Sequence, residues 1–155
     1  MFSTLQELFD TFTAGSPQDS PAQREHALRV AAAVLLVEVM RAEPTINPAE
    51  RNAVFAALRD RFALDDAELA PLVESAETQS RIANDYFHFT SRINDNFSQP
   101  EKIELVEAMW QVAYADGVLD ASENHVISKV ADLLHVTHGE YIAAKMRAKE
   151  AAGLL

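Results

Sequence analysis

Apolar residues recur at three- and four-residue spacing along most of the chain, and no stretch sustains period-two alternation. That pattern predicts helices and no sheet. Phe2, Leu5, Leu8, Phe9 and Phe12 mark a short amphipathic helix at the start, and 13–20, with Gly15 and Pro17, reads as a loop. Ser20-Pro21-Ala22-Gln23 is a helix start: a Ser cap, proline at the first helical position and Gln three residues on. The helix it opens, 22–42, is apolar on nearly every side from Val30 to Met40, interrupted only by Glu38. A helix apolar all round belongs in the middle of a core.

The same start signal, in Ser/Thr/Asp/Asn-x-x-Glu form, recurs at Asn47–Glu50, Asp65–Glu68, Ser98–Glu101, Asp120–Glu123 and Thr137–Glu140. Each precedes an apolar helical pattern. The one after Ser98 carries Ile103, Leu105, Val106, Met109, Trp110, Val112 and Ala113, and predicts a second central helix over 101–115. The pattern over 65–94 fits either one helix or two, and Pro71 lies far enough inside it to threaten a kink. The expectation is an all-α, single-domain bundle of about seven helices spanning 1–155, with 22–42 and 101–115 packed together near a pseudo-two-fold axis.

An internal repeat supports that axis. Ala115-Asp116-Gly117-Val118-Leu119-Asp120-Ala121-Ser122-Glu123 has a fainter copy 73 residues earlier, Ala42-Glu43-Pro44-Thr45-Ile46-Asn47-Pro48-Ala49-Glu50. The offset sets Glu43 on Asp116, Asn47 on Asp120 and Glu50 on Glu123. Two pseudo-symmetric helical hairpins follow, about 21–64 and 98–136, each bent at an acidic turn.

Composition narrows the function. A formal net charge of −11 disfavours nucleic acid, whose affinity comes from neutralising phosphates with Lys and Arg, and favours cations or a basic protein partner. The absence of cysteine leaves no disulfide framework and suits a reducing compartment. The first residues lack a secretory signal, and the run 30–40 is well short of the ~20 residues a membrane span needs. A cytoplasmic protein without membrane insertion is expected, its oligomeric state left open.

Part of the acidic turn has a local purpose. Gly117 suits a left-handed helix end, Asp120 an N-cap, and Glu123 can reach back to the Asp120 amide. Asp116 resists that account: at a helix C-terminus an acid costs about 0.3–1 kcal/mol. Glu43 repeats the misplacement, with Arg41 near enough to soften it. Carboxylates beside helix-end carbonyls are the ligands a hard divalent cation takes, which makes Ca²⁺ or Mg²⁺ the candidate ions. The site so predicted centres on Asp116, Asp120 and Glu123, with Glu43, Asn47 and Glu50 as a weaker second set. An acidic patch for a basic partner is the alternative.

Other positions carry less. Glu38 is a paired core carboxylate or a snorkelling surface residue, and Glu104 and Glu107 are a solvated stripe. His135 and His138 are separated by the helix start at Thr137; His125 beside Glu123 is a remote zinc ligand. His88, between aromatic residues, reads as packing. No nucleophile–base spacing, phosphate-binding glycine loop or HExxH motif is present, so no enzyme is expected.

At Ala115, Asp116, Gly117 and Glu123 the chain resembles the TerB-like family associated with tellurite resistance, whose helical repeats each bend at an Ala-Asp-Gly-x-x-x-x-x-Glu-like turn. In the first copy Ala42 and Glu50 match, while Glu43 and Pro44 stand where Asp and Gly would. The resemblance spans about residues 25–141. It implies a non-enzymatic, cytoplasmic, stress-related helical module whose acidic surface binds divalent metal. A protein-interaction adaptor using the acidic turns or helical grooves, without metal, is the other reading.

Overall fold

The run from Val30 to Met40 is buried all round except at Glu38, and the helix that carries it, α1 (Pro21–Arg41), forms the axis of the bundle. The computed structural model describes residues 20–154 other than 44, 46 and 84. The opening amphipathic helix, and Pro44 and Ile46 of the first acidic turn, lie outside the described residues. Around α1 pack α2 (Pro48–Phe62), α3 (Asp66–Ile82), α4 (Phe87–Asn96), α5 (Gln99–Ala113) and α6 (Ala121–Leu133); α7 (His138–Ala151) closes over α5. The described residues form seven helices and no strand. None is long and apolar enough to cross a membrane.

The predicted central pair is present: α5 buries Leu105, Val106, Met109, Trp110, Val112 and Ala113 and packs against α1. Its last helical residue is Ala113, two short of the expected end, because Tyr114–Asp116 tighten into a turn whose Gly117 N–H donates to the Tyr114 carbonyl at 2.9 Å. The stretch 65–94 is two helices. Helix α3 runs unbroken through Pro71, which leaves the carbonyl of Ala67 without its N–H at an exposed residue.

The start signals identify the helix ends well. Capping boxes close at Ser20/Gln23, Asp65/Glu68, Ser98/Glu101, Asp120/Glu123 and Thr137/Glu140. At Asn47 the side chain caps the Ala49 N–H at 2.8 Å, but Glu50 does not reach back as expected. Its carboxyl has turned inward, and that departure positions the site.

Candidate functional site

The two acidic turns face each other. One follows α1 and leads through Asn47 into α2; the other follows α5 and leads through Asp120 into α6. Because α1 and α5 pack together, their C-terminal ends and the N-terminal ends of α2 and α6 meet in one place. Asn47 Nδ2 donates to Asp116 Oδ2 at 3.3 Å, joining turns 69 residues apart. The other oxygen of Asp116 accepts the Val118 N–H at 3.0 Å, which fixes the carboxylate's orientation.

One oxygen from each of Glu43, Glu50 and Asp116 lies within 4.8 Å of the other two. Glu50 and Glu123 are fully buried. Their carboxyl groups act on each other, while Glu50 also interacts with Asp116 and Glu123 with Glu43. Each buried glutamate thus crosses to the helix-end acid of the opposite turn, a pairing that follows the 73-residue offset.

Among the described residues neither Glu50 oxygen has a hydrogen-bond donor, nor has Glu123 Oε2. Glu123 Oε1 accepts the Asp120 N–H at 3.1 Å, as its capping role requires. Burial pushes both glutamates above the ordinary carboxylate range; Glu50 adds to the rise at Glu123, whereas Glu123 lowers Glu50 and Glu43 and Asp116 raise it. Buried carboxylates are ordinarily hydrogen-bonded or charge-paired. Orphaned buried carboxyl oxygens beside further carboxyl groups are what a positive ion would satisfy, and the charge it brings would offset the cost of ionising them.

The grouping differs from the expected centre. Asp116 meets Glu43 and Glu50 of the other turn, whereas Asp120 Oδ1 is committed to the Ser122 N–H at 2.7 Å as the cap of α6. The first turn, expected to be the weaker set, supplies two of the three converging oxygens. Arg41 is engaged on the other side of its helix end, donating to Ser80 Oγ at 2.6 Å and lying 3.9 Å from Glu38. Glu38 is the paired core carboxylate, held by Ser80, by Arg41 and by the Tyr86 hydroxyl at 3.3 Å. The missed signal was the pairing itself: an Asx-x-x-Glu start whose glutamate is apposed, through two packed central helices, to its own repeat.

The donor set is all oxygen, three or four carboxylates and no sulfur or imidazole, and so fits a hard cation such as Ca²⁺ or Mg²⁺ with water completing the shell. The remaining histidines stand apart. His125 and His138 line a groove between α6 and α7, and His88 packs edge-on against Phe89 at 5.1 Å.

The family model of tellurite resistance protein TerB matches residues 29–146, most of the chain and both acidic turns. The chain belongs to the TerB family. No curated protein and no solved structure matches it. In this TerB-family chain the matched region begins inside α1 and ends inside α7, so it contains every residue of the acidic cluster.

Proposed function

We propose that the chain is a non-enzymatic TerB module that binds a divalent cation between its two acidic turns. Asp116, Glu43 and Glu50 act as the converging ligands, and Glu123 closes the cluster from behind. The observation that carries this reading is Glu50: fully buried, with both oxygens lacking a donor among the described residues, beside two further carboxylates. Membership of the family supports the stress- and tellurite-response setting and the cytoplasmic location that go with it. Ca²⁺ and Mg²⁺ are the favoured ions because every donor is a hard oxygen.

Calorimetric titration with Ca²⁺, Mg²⁺, Mn²⁺ and Zn²⁺, beside Asp116→Ala, tests the proposal. Saturable heat from a hard ion that vanishes in the variant supports it; no heat from any ion at millimolar concentration ends it. A second reading rests on the net charge of −11, which favours a basic protein partner at the same turns. Salt-sensitive capture of such a partner with chelator present would favour that adaptor over the metal site.

A further inference from the structure

Where α1, α2 and α5 meet, three of the side chains between them are alanines, Ala32, Ala57 and Ala108. Side chains that short leave the space between α2 and α5 unfilled. An open groove of about 250 Å³ remains, floored by the buried Leu36, Leu58 and Leu105. We propose that this groove is a docking site for a basic amphipathic helix of a partner protein, one that sets apolar residues at i and i+4 between flanking Lys or Arg. The inference is independent of the metal reading, because the groove contains no residue of the acidic turns.

Charge selects that occupant. Each wall carries one carboxylate, Asp60 on α2 and Glu104 on α5, and both residues are exposed. Among the described residues neither side chain has a hydrogen-bond or ion-pair partner. The neighbouring cations are already committed. Arg61, which also lines the groove, is paired with Glu101 and lies over the Phe97 ring at 4.6 Å. Arg59, next to Asp60 in the sequence, is paired with Asp66 at 2.9 Å. An apolar trough with an unpaired acid on either side repels an acidic segment, a phosphate backbone and an anionic lipid surface alike, and attracts Lys and Arg. A second copy is a poor occupant for the same reason, since each chain carries a net charge of −11.

Shape selects a helix. Two helices form the walls, the setting in which a third lays down an apolar face read through residues at i and i+4. On α5 the lining residues Glu104, Ala108 and Gln111 follow helical spacing, so a polar residue stands on each side of the alanine. The space of about 250 Å³ is smaller than the roughly 300–1,000 Å³ of a site that encloses a small molecule, and suits the anchoring side chains of a helix instead.

The probe is a fluorescein-labelled Leu/Lys peptide of about 18 residues, long enough to be helical when bound, beside a Leu/Glu peptide of the same pattern. Chelator is present throughout, so the result does not depend on a bound cation. Fluorescence anisotropy should show saturable binding of the Lys peptide, with the Glu peptide about tenfold weaker or more. Asp60→Lys with Glu104→Lys should weaken the Lys peptide by about tenfold or more and reverse the preference. Glu74→Lys with Glu150→Lys changes the net charge equally at exposed positions outside the groove and should cost no more than about threefold. Equal losses in the two variants would overturn the proposal, since the peptide would then follow overall charge. So would the lack of saturable binding to the parent chain up to about 1 mM peptide. Ala57→Gln with Ala108→Gln fills the groove without changing charge, and unchanged affinity there would also overturn it. Amide NMR shifts of the parent chain need no variant. The Lys peptide should move Ala57, Leu58 and Ala108 most; largest shifts at 42–50 and 115–123 would assign it to the acidic turns and end the proposal.

Discussion

Asn47 and Asp116 are joined side chain to side chain at 3.3 Å, and among the described residues this is the one side-chain hydrogen bond that links the two acidic turns. The amide does two jobs: its oxygen caps α2 and its N–H faces a carboxylate. At the equivalent place in the second turn stands Asp120, which can cap but cannot donate. The first turn thus supplies hydrogen bonding where the second supplies charge.

Asn47→Asp should separate these jobs. The cap survives, because aspartate is as good an N-cap as asparagine. The donor to Asp116 is replaced by a like charge, so the ion-free variant should lose about 1 kcal/mol or more near pH 7.5. Adding Ca²⁺ or Mg²⁺ should then raise its melting temperature more than that of the parent chain. Thermal denaturation with chelator and with ion measures both. If the ion leaves the deficit untouched, Asp116 is not a ligand.

Glu50 and Glu123 make the ion-free protein pH-sensitive in an unusual direction. Both are held above their ordinary value of 4.5, chiefly by burial; Glu50 adds to the rise at Glu123, while at Glu50 the Glu123 contact works against it and Glu43 and Asp116 with it. An acid raised on folding binds more protons folded than unfolded. The stability it contributes is complete below its unfolded value and is lost as pH climbs through the folded one. Glu101 and Glu140, lowered mainly by the backbone amides of Ser98 and Thr137, work in the opposite sense but only at pH below that same value. His88, lowered mainly by burial, favours the fold as pH rises through 6.5. The two raised glutamates outweigh one histidine, so urea midpoints with chelator should fall from pH 5 to pH 9. Glu123→Gln, which keeps an oxygen for the Asp120 N–H, should flatten the profile and gain on the order of 1–3 kcal/mol at pH 8. A parent profile already flat over that range would refute the assignment.

Much of this was legible in the sequence for a simple reason. Helix ends here are written locally, in Ser98-x-x-Glu101 or Thr137-x-x-Glu140, and the central helix is written in the unbroken apolar run of 30–40. The break of 65–94 into α3 and α4 was not legible, because Ile82 and Tyr86 continue the helical spacing across the gap. The acidic residues were visible, but their grouping was not. Local rules assign Glu50 to a capping box and Asp116, Asp120 and Glu123 to one another, whereas packing of α1 on α5 sets turn against turn and partners Asp116 with Glu43 and Glu50.

Backbone handedness gives a pair of opposite outcomes. Gly117 has φ +84° with open space where a Cβ would stand, so Gly117→Ala is opposed by backbone strain alone, about 1–2 kcal/mol. Ala63 ends α2 at φ 52°, a left-handed position held by a residue with a Cβ. Ala63→Gly should stabilise by roughly 0.5–1 kcal/mol. Urea titration of both variants checks the signs, and a destabilised Ala63→Gly would contradict the geometry.

Ser80 holds together the polar contact beneath α1. It donates to Glu38 and accepts from Arg41, and it is nearly inaccessible to solvent. Burial and the Glu38 carboxylate push the Tyr86 hydroxyl up to about 12, so it remains a donor throughout the neutral range. Ser80→Ala should cost about 1–3 kcal/mol through the half-buried charges it leaves under-satisfied. The loss should be the same with and without added cation, since this network lies outside the acidic cluster; an ion-dependent loss would tie the two together.

The arrangement of ligands across both turns can be tested against a site confined to one. Asp120 is already engaged with the Ser122 N–H, and Asp120→Ser preserves that cap while deleting the charge. Asp116→Ala and Glu43→Ala each remove a converging oxygen but lie on different turns. If the cation sits between the turns, both alanine variants should weaken Mn²⁺ binding by about tenfold or more, about 1.4 kcal/mol. Asp120→Ser should stay within roughly threefold of the parent, as expected for a charge beyond the ligand set. If instead Asp120→Ser weakens binding as much as Asp116→Ala while Glu43→Ala does not, the ion belongs to residues 116–123 alone. The burial of Glu50 would then have no ligand to account for it.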